Sequence, residues 1–293
     1  MTPEIFGVSV RGASHVRADK ECQDSLLFGK IELVPPKKLF STLGFLKKDG
    51  PKFAYAMAAA DGHGSASCPF SKDGSSIAVE TFVSIMEEYC RAYAGDMDGL
   101  SAFLDREGEL KLAKVISMEW KKRVIARHME YGRGEADEEN EADIIMQYGT
   151  TLLGFLYSEN FVFAFQLGDG DIVFLNDLVF EPVISPEHIL GVETHSLCKS
   201  ESWRNAITAV KTRPAETAGR GLFMLSTDGF SNSFADNGEY EKSCRDYYET
   251  ILEHGPDAVR QNLSEWLTET SEKGCGDDIT VLFLYEPAQT NVP

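Results

Sequence analysis

Six aspartates in this chain stand where an apolar run begins or ends. Asp24 precedes Ser-Leu-Leu-Phe, and Asp61 follows the run Phe53 to Ala60. Asp169 sits between two glycines in Gly168-Asp169-Gly170-Asp171, Asp228 closes the Leu222 run, and Asp277-Asp278 opens the run from Ile279 to Tyr285. Aspartate is a common turn and cap residue, so any one of these has an ordinary explanation. Several of a kind at strand ends carry more. If the ends converge, the carboxylates crowd together, repel one another, and must either take up protons or hold cations. Oxygen ligands without a cysteine pair or a histidine pair suit Mg²⁺ or Mn²⁺ rather than zinc. At Asp61 the chain continues Gly62-His63-Gly64. A turn needs neither that carboxylate nor that imidazole, and Gly62 lets the backbone come close enough for its carbonyl to act as a ligand.

These groups must be carried on regular elements. Ile5 to Val10, Ser25 to Leu33 and Phe53 to Ala60 read as strands. Ile77, Phe82, Ile85 and Tyr89 lie near one face of a helix over 77–93, and Leu112, Val115, Ile116, Trp120 and Val124 face inward from a helix over 109–129. From Gly149 the period becomes two, giving three or four strands broken at Ser158-Glu159-Asn160, Gly168 to Asp171 and Asn176-Asp177. Leu222 to Leu225 is a further strand. Helices over 241–253 and 257–271 follow, with Gly274 at a C-cap, and Ile279 to Tyr285 closes the chain's regular structure. The order is α+β. Strands joined by tight turns favour antiparallel pairing, and two antiparallel sheets flanked by helix pairs, a four-layer α-β-β-α sandwich, would bury every apolar face. We expect one domain over 1–287 and a tail over 288–293. Within it, 30–52 reads as a hairpin or loop insertion with paired lysines, 130–147 as an acidic solvated loop, and 185–215 as a less regular segment.

The totals narrow the function. The chain has 293 residues and is 43% hydrophobic, enough for a sizeable core. Its net charge of -19 disfavours nucleic acid and anionic membrane surfaces as partners. Six scattered cysteines show neither zinc-ribbon spacing nor a disulfide framework and read as reduced thiols. The sequence MTPEIFGVSVRGAS lacks the pattern of a signal peptide, and no apolar run approaches the ~20 residues of a membrane helix, so a cytoplasmic location is expected. The run after Gly168 fails as a calcium loop, since Val173 and Phe174 stand where Asp or Asn and Gly are needed. Phosphate-loop, dinucleotide and nucleophile-elbow patterns are absent from the sequence.

The ordered set CQDS at 22–25, DGHGS at 61–65, YGTTLL at 148–153, LGDGDIVF at 167–174, STDGFSN at 226–232 and GDDITVLFL at 276–284 resembles the metal-dependent protein phosphatases of type 2C, with a Gln-Asp first motif like that of a bacterial subgroup. The resemblance runs over nearly the whole chain. It implies an α-β-β-α sandwich with a site for two Mg²⁺ or Mn²⁺ ions, and a weaker third, at one end of the sheets. Asp61 would bridge two metals, Gly62 would lend its carbonyl to one, and Asp228 and Asp277 would hold the other. Asp169 with Asp228 would match the third site, Asp24 would orient a metal-bound water, and His63 would match the general acid. The implied reaction is hydrolysis of phosphoserine and phosphothreonine in a protein substrate, with a cognate Ser/Thr kinase as a further partner. The chemistry is coherent: water between two metals is acidified, and an imidazole can protonate a poor alkoxide leaving group.

The chain departs from the family pattern in three places. Gln23 stands where many members have Glu, and lends no charge to a metal. Asp277-Asp278 stands where Asp-Asn is usual, and either aspartate can be the ligand. Asp19 stands where many members place an Arg that meets the substrate phosphate; Arg17, Lys20 and Arg11 are the substitutes, and Arg17 is preferred. The alternative function is a catalytically weak or silent member that binds a phosphoprotein. The segment 185–215 matches the position of the family's variable flap.

Overall fold

The computed structural model describes residues 2–34, 51–133, 141–184, 195–213 and 221–288. The first sheet contains β1 (Glu4–Val10), β6 (Asp171–Leu175), β7 (Phe180–Pro182), β9 (Gly221–Ser226) and β10 (Ile279–Glu286) in the order β1-β10-β9-β6-β7. The second contains β2 (Ser25–Glu32), β3 (Phe53–Ala60), β4 (Leu152–Ser158), β5 (Phe161–Leu167) and β8 (Ile207–Thr212) in the order β2-β3-β4-β5-β8. Every pairing is antiparallel.

Alternation along the strands builds the layers. On β3, Tyr55, Met57 and Ala59 face the space between the sheets with Phe155, Phe223, Leu225, Leu282 and Leu284. The intervening Ala54, Ala56, Ala58 and Ala60 face outward, against α2 (Ser71–Ala92) and α4 (Ala113–Glu130), where Ile77, Phe82, Met86, Ile116 and Trp120 are buried. Alanine there lets the helices lie close. Trp120 also donates its indole N–H to the carbonyl of Gly74, 3.0 Å away. On the opposite face of the molecule Met224, Val281 and Phe283 pack under α7 (Asn237–His254) and α8 (Pro256–Lys273) through Tyr247, Ile251, Leu263 and Leu267. The expected four-layer sandwich is therefore the observed one.

Local differences have physical causes. The helix expected over 109–129 is a π-helical turn over Gly108–Leu112 leading into α4, and it is preceded by a helix that was not expected, α3 (Met97–Glu107), capped by the Asp96 carboxylate. Val115, expected inward, is 43% exposed because it lies to one side of the buried stripe of Ile116, Trp120 and Val124. A short helix, α1 (Ala13–Arg17), follows β1; it has no buried residue and so no periodic signal. Within the expected acidic loop, α5 (Glu141–Met146) is helical and buries Ile144. Of the segment expected to be irregular, Ser202–Asn205 forms a 3₁₀ turn and Ile207–Thr212 is β8, paired with β5. Residues 35–50 of the expected hairpin, 134–140 of the acidic stretch, 185–194 of the flap-like segment and 289–293 of the tail lie outside the described residues. All six cysteines are free thiols, and four of them are buried. No described helix is long and apolar enough to cross a membrane.

Candidate metal centre

One end of the sandwich gathers the carboxylates. β3 runs into Asp61, the β5–β6 turn carries Asp169, β9 leads to Asp228 at the start of α6 (Asp228–Ser231), and Asp277 lies just before β10. Carboxylate oxygens of Asp61, Asp169 and Asp228 all lie within 4.8 Å of one another. With Gly62, His63, Gly64, Ser65, Asp277 and His15, these three line a cavity of about 250 Å³.

Each group has its own mount. The Asp61 backbone N–H donates to Thr151 Oγ1 (3.0 Å), and its carbonyl accepts from the Thr151 N–H (2.9 Å) and Thr150 Oγ1 (2.7 Å). The two threonines of the YGTTLL stretch thus fix the end of β3. The turn bearing Asp169 is held by Gln166, whose Nε2 donates to the carbonyls of Gly168 (3.2 Å) and Gly170 (3.1 Å). Both glycines have positive φ, 101° and 104°, which suits no other residue well. Asn232 Nδ2 donates to Asp228 Oδ2 at 3.0 Å.

Asp277 and Asp278 divide the labour. Asp278 is 3% exposed; its Oδ1 accepts from the Gly12 N–H at 2.6 Å and its Oδ2 from the Gln23 N–H at 2.6 Å. His15 Nδ1 lies 2.9 Å from the same Oδ2. Asp278 is therefore a hub tying β10 to the segments on either side of α1. The Asp277 side chain is 54% exposed and faces the cavity.

Asp24 lies behind the cavity and does not line it. It is 1% exposed, and its Oδ2 accepts from Thr227 Oγ1 and Thr280 Oγ1, each at 2.8 Å. Burial pushes its carboxyl up to about 7, against the two threonine hydrogen bonds. Burial also lifts Asp228 to about 7, with the charges of Asp169 and Asp277 adding to the effect. Asp61 is held well above the usual carboxylate range by burial and then by the charges of Asp24, Asp228, Asp277 and Asp169. The protein part of this site carries more negative charge than it can keep ionised.

A divalent cation fits that charge. It would replace protons that the crowded carboxylates otherwise retain. Two buried oxygens beside the cluster, Asp24 Oδ1 and Gln23 Oε1, also have no hydrogen-bond partner. Gln23 Oε1 points at Gly64, within 2.5 Å of where a Cβ would stand on that residue.

Of the expected site residues, Asp61, Gly62, His63, Asp169, Asp228 and Asp277 meet at the cavity, and Asp24 stands directly behind Asp61. Arg17 is not among the lining residues: it is exposed on α1, with its guanidinium beside Gly276. Lys20 donates to the Gly64 carbonyl at 3.2 Å, and Arg11 to the Lys20 carbonyl at 3.3 Å. Sequence reasoning passed over His15. The available signal was weak, a histidine in the short link between two strands.

Comparison with known proteins decides the family. The model of the family described as protein phosphatase 2C matches residues 42–268. The chain belongs to the protein phosphatase 2C family. Solved structures agree in fold. A bacterial serine phosphatase superposes with a TM-score of 0.56 at 12% identity, over 99% of this chain and 100% of that one. The catalytic domain of the serine/threonine phosphatase PstP, in complex with two manganese ions, gives 0.51 at 16%, over 97% of each chain. PppA, described as a key regulatory component of the T6SS in Pseudomonas aeruginosa, gives 0.53 at 17%, over 99% of each chain. No curated protein matches the sequence. The membership makes this chain a metal-binding hydrolase of the protein phosphatase class by family.

Proposed function

We propose that this protein is a Mg²⁺- or Mn²⁺-dependent phosphatase acting on phosphoserine and phosphothreonine in proteins, opposed by a Ser/Thr kinase in the cytoplasm. The observation that carries the reading is the convergence of Asp61, Asp169 and Asp228, from three separate strand ends, to within 4.8 Å at the floor of one cavity. PstP, with two manganese ions, supplies the precedent for two metals on this fold.

Asp61 and the Gly62 carbonyl would hold one ion, Asp61, Asp228 and Asp277 the other, and Asp169 with Asp228 a weaker third. The half-exposed Asp277, rather than the saturated Asp278, is the ligand of that pair. Ions at these positions supply Lewis acidity toward the phosphoryl group and an acidified water. The protein supplies the rest. Asp24, fixed by Thr227 and Thr280, presents its unpartnered oxygen beside Asp61 and orients what binds there. His63, on the cavity wall, donates a proton to the departing serine or threonine oxygen. Arg17, expected as the phosphate contact, is not among the residues lining the cavity and would meet the substrate outside it. The silent-binder alternative gains no support from the site, since every carboxylate it would lack is present and gathered.

The test is phosphate release from a phosphothreonine peptide, with and without Mn²⁺, by wild type and Asp61→Asn. Metal-dependent release in the wild type, reduced about a hundredfold or more in the variant, is expected for loss of a shared ligand. A folded, Mn²⁺-loaded wild type that releases no phosphate would overturn the reading.

A further inference from the structure

Four carboxylates line the cavity, yet a phosphorylated side chain brings a dianion into it. Metal ions offset part of that charge, but the phosphoryl oxygens also need hydrogen-bond donors from the protein. Among the described residues the cavity wall offers nitrogen-bearing side chains at two positions only, His63 and His15. The leaving oxygen occupies His63 in the reading above. His15 remains.

His15 is held with unusual firmness for a residue on a five-residue helix. The first turn of α1 is stitched down by its backbone: the Gly12 N–H to Asp278 Oδ1 (2.6 Å), the Ala13 N–H to Ser271 Oγ (3.0 Å) and the Ser14 N–H to the Gly276 carbonyl (2.8 Å). Gly12 lies so close to the Asp277–Asp278 peptide that a Cβ on it would stand 2.2 Å from the Asp277 carbonyl carbon. Nothing but glycine lets α1 start there. The imidazole that follows is 14% exposed and wedged between two aspartates. Its Nδ1 is 2.9 Å from Asp278 Oδ2. Its Nε2 is 3.9 Å from Asp277 Oδ1, beyond hydrogen-bonding reach, and both residues line the cavity.

We propose that His15 is the protein's phosphate-contacting residue: as an imidazolium whose Nδ1–H is held by Asp278, it donates a hydrogen bond from Nε2–H to a phosphoryl oxygen of the substrate. This rests on the phosphatase reading. It assigns to an inward side chain the task that sequence comparison left to Arg17, whose guanidinium lies outside the wall. The role is donation of a hydrogen bond from a fixed ring edge. Glutamine, whose amide N–H reaches a similar distance, should therefore replace it in part, and alanine should not.

The experiment compares wild type, His15→Ala, His15→Gln and Arg17→Ala. Binding of inorganic phosphate to the Mn²⁺-loaded proteins is measured by calorimetry, with Mn²⁺ affinity measured separately. Steady-state kinetics on a phosphothreonine peptide follow. His15→Ala should weaken phosphate binding and raise KM about tenfold each, the size of one hydrogen bond to a charged group. Its kcat should stay within about threefold and its Mn²⁺ affinity should not move, while His15→Gln falls between it and wild type. Unchanged phosphate binding in His15→Ala overturns the inference. So does a loss explained by weaker Mn²⁺ binding, a loss in Arg17→Ala alone, or a wild type that binds no phosphate. Thermal melting guards against misfolding; Asp278 keeps its two backbone donors in every variant. Phosphate binding that depends on His15 without peptide turnover would keep this inference and defeat the phosphatase reading. Turnover with phosphate binding indifferent to His15 would do the reverse.

Discussion

Gly149 shows how far a single residue governs the site. A Cβ there would stand 2.6 Å from His63 Cδ2, 2.8 Å from Cys68 Sγ and 3.4 Å from Cys198 Sγ. The His63 backbone N–H also donates to the Gly149 carbonyl at 3.1 Å. The imidazole therefore rests on bare backbone, and Gly149→Ala must push it off its seat. If His63 is the proton donor, the loss depends on the leaving group. We expect kcat on a phosphothreonine peptide to fall by about tenfold to a hundredfold, within the range for general-acid catalysis. Turnover of p-nitrophenyl phosphate, whose leaving group needs no proton, should change less than about threefold. Equal losses on both substrates would show that Gly149 shapes the metal-binding carboxylates and not the acid. The division between Asp277 and Asp278 belongs to this scale as well. No spacing rule separates two adjacent aspartates; only the Gly12 and Gln23 N–H groups, which arrive from distant parts of the chain, mark Asp278 as taken.

The elements carry the site through their ends, and the β5–β6 turn is the clearest case. Gln166 is 2% exposed on β5 and spends its amide N–H on the carbonyls flanking Asp169. Gln166→Leu keeps the shape and removes both bonds. The cost should be about 1–3 kcal/mol of stability. A loosened Asp169 should raise the Mn²⁺ concentration for half-maximal activity several-fold at nearly unchanged kcat. A melting curve and a Mn²⁺ titration check the two parts, and an unmoved titration would separate Asp169 from metal binding. The strands that bring these turns together were legible because both faces of each are buried, so β3, β4, β5, β9 and β10 show as apolar runs between Gly, Asn and Asp. Three elements were not. Met97, Leu100 and Leu104 are the buried stripe of α3 and Asp96 its cap, but the stripe is short and phase-shifted from α4 by the π-helical turn. α1 buries nothing, and β8 is an edge strand without a fully buried residue. Where burial is weak the periodic signal is weak, and His15 went unnoticed because α1 did.

At the scale of the whole molecule, two sheets closed over an apolar interior leave the charge at one end. Asp24 and Asp228 are raised to about 7 in the fold, and Asp61 well above the ordinary range, against about 3.9 for an unfolded aspartate. Below about pH 4 both folded and unfolded chains hold these protons and no penalty arises. Between about pH 4 and pH 7 the unfolded chain releases protons that the folded chain keeps, so stability declines as pH rises. For Asp24 and Asp228 the loss is complete above pH 7, and Asp61 carries it further. The paired Glu107 and Glu119, lowered chiefly by hydrogen bonds from Lys111 and from Arg123 respectively, act below this window and do not oppose it. Divalent cations bind the ionised form, so their stabilising effect must grow over the same range, by about 2.7 kcal/mol once the free ion exceeds its Kd a hundredfold. Melting temperatures of chelator-treated and Mn²⁺-loaded protein should therefore nearly coincide at pH 5 and diverge by pH 8, the metal-free curve falling and the loaded one holding. A metal-free protein that melts as high at pH 8 as at pH 5 would mean that the carboxylates relax apart when ionised. The tight cluster would then be a feature of the loaded state alone, assembled by the ions and not by the sheets.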